Sequence, residues 1–172
     1  MDAIEAIKTR RSIRKYIRKK IPNKTVNELI ELGMNAPSAG NEKPWYFIII
    51  NNYEILKKIP IFHPHSNMLK EASLAILICY DINLEKHKGM AVQDCAASTE
   101  NILIAANAKG LGSVWLGIYP RQERMKGMIK LLNLPENIIP FSLISLGYPA
   151  DNVIKERNID LTRVHHNHWK SN

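Results

Sequence analysis

Between Lys8 and Lys24 stand nine basic residues (Lys8, Arg10, Arg11, Arg14, Lys15, Arg18, Lys19, Lys20, Lys24) and no Asp or Glu. The densest part is Arg10-Arg11-Ser12-Ile13-Arg14, where guanidinium forks and a hydroxyl alternate around one apolar residue. Arg grips phosphate with two parallel hydrogen bonds, and Ser adds a neutral donor. That chemistry suits a phosphorylated small molecule. A solvated basic face is the competing reading, and so is a nucleic-acid backbone, which needs only Lys and Arg along an open groove. The nucleic-acid reading finds neither zinc-finger spacing nor an RNP-like aromatic motif to support it.

Other residue types with chemical potential are less specific. Gly110-Leu-Gly112 lacks the third glycine and the strand-then-helix context of a dinucleotide turn, so it reads as a helix end followed by a turn. His165-His-Asn-His168 is too compact a cluster on an irregular tail to define a metal site. A Gly-x-Ser-x-Gly elbow is missing, which removes the usual hydrolase reading. Cys79 lies in the apolar run Ala75–Cys79 and Cys95 in a helical pattern, so both are expected in the core.

Several elements must position these residues. A first helix is expected from the N-cap Asp2 through Ile4 and Ile7 to about Arg10, delivering the basic cluster at its C-terminal end. A second begins at Asn23, with Val26, Leu29, Ile30 and Leu32 as its apolar face, and is stopped by Pro37. Four strands are predicted, at Trp45–Ile50, Leu74–Tyr80, Ser113–Tyr119 and Phe141–Gly147. An Ala-rich buried helix runs from about Met90 to Lys109 and ends at Gly110; another spans about Gln122–Leu132. Helices come first and then mix with strands, which predicts an α+β fold. The tail from Asp151 is polar and basic, and is expected to be extended.

The 172 residues suit one domain, expected to span residues 1–172, and 45% hydrophobic with 23% charged residues is an ordinary globular composition. A net charge of +8, from 24 basic and 16 acidic residues, favours acidic partners. The start Met-Asp-Ala-Ile-Glu has no signal-peptide pattern and the apolar runs are too short to span a bilayer. A cytoplasmic protein with no membrane and no nucleic-acid partner is the expectation.

Taken in order, Arg10-Arg-Ser-Ile-Arg14, Pro37-Ser-Ala-Gly-Asn-Glu-Lys-Pro-Trp45, Gly110-Leu-Gly-Ser-Val-Trp-Leu-Gly117 and Asp160-Leu-Thr-Arg-Val-His165 with Trp169 resemble the FMN-dependent nitroreductase family, especially its short members. The resemblance spans nearly the whole chain. It implies an α/β/α sandwich with a mostly antiparallel central sheet, built as an intertwined homodimer with FMN at the interface. In that pattern Arg10, Arg11, Ser12 and Arg14 hold the phosphate and the polar edge of the flavin. Pro37, Ser38, Ala39 and Asn41 approach from the other subunit, Leu116 and Gly117 pass the reactive side of the ring, and Lys155 and Arg157 return to the phosphate. Asn67 is the nearest candidate for the pyrimidine edge, with His65 the alternative in that segment.

The family implies an oxidoreductase in which NADH or NADPH delivers hydride to FMN and then leaves for a nitroaromatic, quinone or flavin-type acceptor, a ping-pong cycle in one pocket. Arg14 is the cation expected near the flavin N1 and O2 edge, and a main-chain N–H near Leu116 or Gly117 is expected to orient N5. No side-chain acid or base is required, and none is assigned, nor any metal ligand. The alternatives are a non-catalytic flavin carrier and a nucleic-acid-binding protein.

Overall fold

The computed structural model of the chain describes residues 1–151 and 159–169. Its helices are α1 (Ala3–Thr9), α2 (Asn23–Met34), α3 (Tyr53–Leu56), α4 (Ala91–Ala108) and α5 (Gln122–Leu132), and its strands β1 (Tyr16–Ile17), β2 (Trp45–Ile50), β3 (Leu74–Asp81), β4 (Gly112–Gly117) and β5 (Ile138–Pro149). Four strands form an antiparallel sheet in the order β2–β3–β5–β4. The two-residue β1 pairs with the end of β5, Tyr16 opposite Pro149 and Ile17 opposite Tyr148. The predicted α+β class and mostly antiparallel sheet are observed.

β3 is buried along its whole length, and the two-residue period of a strand divides its side chains between two cores. Leu74, Ile76, Ile78 and Tyr80 join a cluster with Val26 and Leu29 of α2 and Cys95, Ile102 and Leu103 of α4. Ala75, Leu77 and Cys79 face the other way, with Leu56, Ile59, Leu69, Val114, Leu116, Met128 and Leu143. Burying each large side chain contributes about 1.5–3 kcal/mol, so helical layers are held to both faces of the sheet. Both cysteines are buried thiols in these cores, as expected.

Asp2 caps α1, its Oδ1 accepting from Glu5 N at 2.8 Å. α4 closes as predicted at Gly110, whose φ of 72° is open to glycine at little cost. Three details differ from the sequence reading. β4 ends at Gly117 and not at the predicted Tyr119, because Ile118 N and Tyr119 N both donate to Phe141 O, the bulged residue, instead of continuing the ladder. In α2 the buried stripe is Val26, Leu29 and Gly33, while Leu32 is exposed; position 32 lies off the i, i+3, i+7 face that meets α4. β5 begins before the predicted Phe141 and includes Pro140. It tolerates that proline through a β-bulge, since Ile78 pairs with Ser142 but Cys79 pairs with Pro140, leaving Phe141 as the extra residue.

Candidate functional site

The basic segment is docked onto the sheet rather than left on a solvated face. Ile13 N donates to Ser113 O at 2.9 Å, and Ser12 forms a parallel bridge with Ser113, so Arg10–Arg14 lies against the first residues of β4. Gly112 and Gly147 stand directly opposite each other on β4 and β5. A Cβ on Gly112 would lie 2.8 Å from Ile13, and one on Gly147 would lie 2.7 Å from the Tyr16 ring. Two glycines therefore make the flat place on which the segment rests. Tyr16 locks it, donating from its hydroxyl to Ile13 O at 2.8 Å. Burial pushes the Tyr16 phenol up to about 12, so it remains a neutral donor. Gly147→Ala should cost about 1–3 kcal/mol by overpacking, read by chemical denaturation, because the buried Tyr16 ring cannot retreat without breaking that bond.

The four residues of the cluster are not equivalent. Arg10 pairs through Nε with Glu100 of α4 at 3.1 Å, which orients its guanidinium. Arg11 donates through Nη1 to Lys8 O and Arg10 O, each at 2.8 Å, covering carbonyls at the C-terminal end of α1. Ser12 and Arg14 are exposed. A hollow beside them is lined by Arg11, Ile13, Asn107, Gly112 and Asp151; another, lined by Lys20, Asn23, Asn27, Asn51 and Ser73, shares no residue with the expected set.

Pro37, Ser38, Ala39 and Asn41 form a separate loop that closes in a 3-10 turn, Ala39–Asn41. Ser38 Oγ accepts from Lys43 N at 3.0 Å, and Ala39 N donates to Asp94 Oδ1 at 3.0 Å. Within one protomer this loop and the basic segment are held by different parts of α4. Asp94 and Glu100 are six residues apart, about 9 Å along the axis and on different faces. Asp94 is a supporting residue that sequence reasoning missed, although an Asp inside an Ala-rich apolar helix was a visible irregularity.

At the far end of β4, Leu116 is buried and a Cβ on Gly117 would meet nothing within 4 Å. Gly117 O accepts from His63 Nε2 at 3.1 Å and Arg124 Nη1 at 2.7 Å; neither donor had been singled out from sequence. The Trp115 and Phe141 rings meet edge to face at 5.9 Å nearby. Asn67 opens the 3-10 turn Asn67–Lys70 and is exposed, as is His65. Lys155 and Arg157 lie outside the described residues.

Desolvation, and then the Arg124 cation, hold His63 below its ordinary value of 6.5. A native state that keeps this ring neutral binds fewer protons than the unfolded chain just below that value. Stability should therefore fall as pH drops below about 6.5 and toward the lower native pKa. Thermal melts across that window should show the slope in the wild type and a shallower one in His63→Gln.

The arrangement fits a ligand with an anionic phosphate and a flat ring. Arginine and hydroxyl donors stand at the start of β4, and open space lies against a side-chain-free residue at its end. No group of three or more His, Cys, Asp or Glu among the described residues is placed to hold a metal ion. Among the same residues no helix is long and apolar enough to cross a membrane.

Comparison with known proteins adds the lineage. The profile of the nitroreductase family matches residues 7–60 and 63–148. A Methanothermobacter thermautotrophicus protein, provisionally named NADH dehydrogenase/NAD(P)H nitroreductase, is 47% identical over 98% of this chain and 88% of its own length. The crystal structure of a Parabacteroides distasonis protein with the same provisional name is similar at a TM-score of 0.93 and 35% identity, covering 97% of this chain and 98% of that one. A provisionally named nitroreductase from Desulfovibrio desulfuricans, solved in complex with FMN, is 26% identical with a TM-score of 0.84, each chain covered to 99%.

Proposed function

The chain belongs to the nitroreductase family, and on that premise we propose that it is an FMN-dependent oxidoreductase. It takes hydride from NADH or NADPH and passes the electrons to a small nitroaromatic, quinone or flavin-type acceptor. The observation that carries this reading is the Ile13–Ser113 bond, which lays the Arg/Ser cluster along the strand that ends at the open space beside Gly117. Residues 113 and 117 share one edge of β4, about 13 Å apart. That leaves room for a phosphate at one end and a ring at the other.

FMN, when bound, supplies the two-electron carrier between donor and acceptor. The protein's part is binding, orientation and electrostatics. Arg10, Ser12 and Arg14 take the phosphate and the polar flavin edge, while Arg11, tied to the end of α1, shapes the cradle. Arg14 favours negative charge at the N1 and O2 edge. The main-chain N–H of Gly117 orients N5. Donor and acceptor occupy one pocket in turn, bounded by segments 60–66 and 119–126. No side-chain acid or base is assigned.

We also assign an intertwined homodimer, with residues 1–172 as a single FMN-binding domain in each subunit. Two uncovered surfaces support it. β2 pairs with β3 alone among the described strands, leaving the apolar edge of Trp45–Ile50 in need of a cover. On α4, Ala97, Asn101 and Ile104 are only half-buried, Asn101 bonded to the exposed Leu32 of α2, and Ile4 and Ile7 of α1 are exposed as well. The tail contributes Ile159, Leu161 and Trp169, all exposed in the isolated protomer. The loop Pro37–Asn41 then reaches the flavin held by the other subunit. Sedimentation at micromolar protein should give a dimer; a stable FMN-bound monomer would remove the interface role of α4.

The enzymatic reading is tested by the visible spectrum of the purified protein, followed anaerobically on adding NADH or NADPH. A flavin spectrum that bleaches is expected. Bound flavin that neither nucleotide bleaches points to a carrier, and no flavin after adding FMN returns the basic segment to a nucleic-acid role.

A further inference from the structure

Glu42 follows the loop Pro37–Asn41 and is turned inward. Its side chain is 4% exposed and pairs with the ring of His87, which belongs to segment 82–90 between β3 and α4. The same carboxylate accepts from Lys86 N at 3.0 Å and His87 N at 3.2 Å. Desolvation alone would raise the Glu42 carboxyl, but the His87 bond and the two backbone donors outweigh it and hold the group below its ordinary value. Gly40 permits the contact, since a Cβ there would lie 2.8 Å from the His87 ring. The backbone turns sharply to reach this geometry: Gly40, Asn41 and Lys43 all have left-handed φ, at 53°, 57° and 48°. Asn41 and Lys43 carry side chains, so the turn holds strain that its contacts must sustain.

Segment 82–90 is braced in the same way. Asp81 Oδ1 accepts from Asn83 N at 2.9 Å, and Glu85 Oε1 accepts from Gly89 N at 2.9 Å and Ala91 N at 3.1 Å. The carboxylates of Asp81, Glu85 and Glu42 are thus all engaged by main-chain N–H groups. Lys86, His87 and Lys88 are exposed, and neither lysine forms an ion pair among the described residues. A loop built like this leaves its cations outward and fixes the backbone that carries them. A merely solvated pair of lysines needs no such frame.

Their position says which anion they meet. The loop Pro37–Asn41 reaches the flavin held by the other subunit, and segment 82–90, fastened to it at Gly40 and Glu42, arrives at the same pocket. FMN has one phosphate, which Arg10, Ser12 and Arg14 take. A nicotinamide nucleotide carries a diphosphate, and NADPH a further 2′-phosphate, all beyond the ring that meets the flavin. We propose that Lys86 and Lys88 form the anion subsite for the phosphates of the nicotinamide nucleotide, with His87 tying that subsite to the flavin loop. The assignment rests on the FMN and dimer readings above.

The test compares FMN-loaded, full-length wild type with the double variant Lys86→Ala, Lys88→Ala. A second double variant, Lys19→Ala, Lys20→Ala, controls for general charge. Calorimetric titration with the unreactive NADP+ and NAD+ reads binding. Anaerobic bleaching of the flavin over a range of NADPH and NADH concentrations separates affinity from the limiting rate. Loss of Lys86 and Lys88 should weaken nucleotide affinity about tenfold at low salt, the scale of two exposed charge pairs. The limiting rate of bleaching and the affinity for FMN should stay as in wild type. A loss confined to NADP+ and NADPH assigns the 2′-phosphate to the loop, and an equal loss with NAD+ and NADH assigns the diphosphate. Unchanged affinity for all four nucleotides, or a loss matched by the control variant, overturns the subsite alone. Wild-type protein that takes up no FMN overturns the cofactor reading and the subsite with it. A stable FMN-bound monomer overturns the dimer reading, and with it the placement of this loop at the pocket.

Discussion

Replacing Arg10 and Arg14 together by Ala is expected to weaken FMN binding by roughly two to four orders of magnitude, from about 1.5–3 kcal/mol per charge-assisted contact. The same double replacement at Lys19 and Lys20 should change affinity only slightly. All four are cations of one short segment, so a general charge effect predicts equal losses. The structure separates them. Arg10 is oriented by Glu100, and Arg14 lies one residue beyond Ile13, the point where the segment bonds β4. Lys19 is engaged elsewhere, its ammonium 4.4 Å from the centre of the Tyr148 ring, and Lys20 lines the unrelated hollow beside Asn23 and Asn51. Flavin fluorescence titrations at two salt concentrations check this directly. Equal losses in both pairs, erased alike by salt, would reduce the site to a diffuse positive field.

Arg11 belongs in the same experiment for a different reason. Its Nη1 satisfies two carbonyls at the end of α1, so Arg11→Ala disturbs the segment's geometry rather than deleting a ligand contact alone. Part of its effect on FMN should therefore appear as lost stability of the protein without flavin.

What could be read from the residues followed from the length and regularity of each pattern. Trp45–Ile50 and Gln122–Leu132 stand where their β-branched and amphipathic runs predicted. The two-residue β1, the four-residue α3 and the 3-10 turns carry too few residues to show a period. The start of β5 was hidden by Pro140, which argues against a strand until the bulge at Phe141 is known. In the site, the Arg/Ser cluster stood out because its chemistry is local, whereas Gly110–Gly117 stood out only through the family resemblance. His63 and Arg124 did not, because only the fold brings residues 54 and 7 positions from Gly117 together at its carbonyl. The pairing of Gly112 with Gly147 was equally silent, since Gly112 alone reads as a turn and Gly147 as the end of a strand.

Gly117→Ala offers the sharpest separation of fold from function. The added Cβ would meet no protein atom within 4 Å, and a side chain in place of glycine in a strand is expected to stabilise the unliganded protein by about 0.5–1 kcal/mol. The same methyl group would stand in the space assigned to the flavin ring. Holding the ring off by overpacking costs about 1–3 kcal/mol, which corresponds to roughly 5- to 150-fold weaker FMN binding. The expected result is a protein that resists denaturant at least as well as wild type while losing flavin. Gly147→Ala behaves oppositely in its first half, because its Cβ strikes the Tyr16 ring and stability falls with or without FMN. Denaturation of both variants with and without flavin, beside flavin titrations, distinguishes them. Full FMN affinity in Gly117→Ala would move the ring away from the end of β4, and with it the donor proposed for N5.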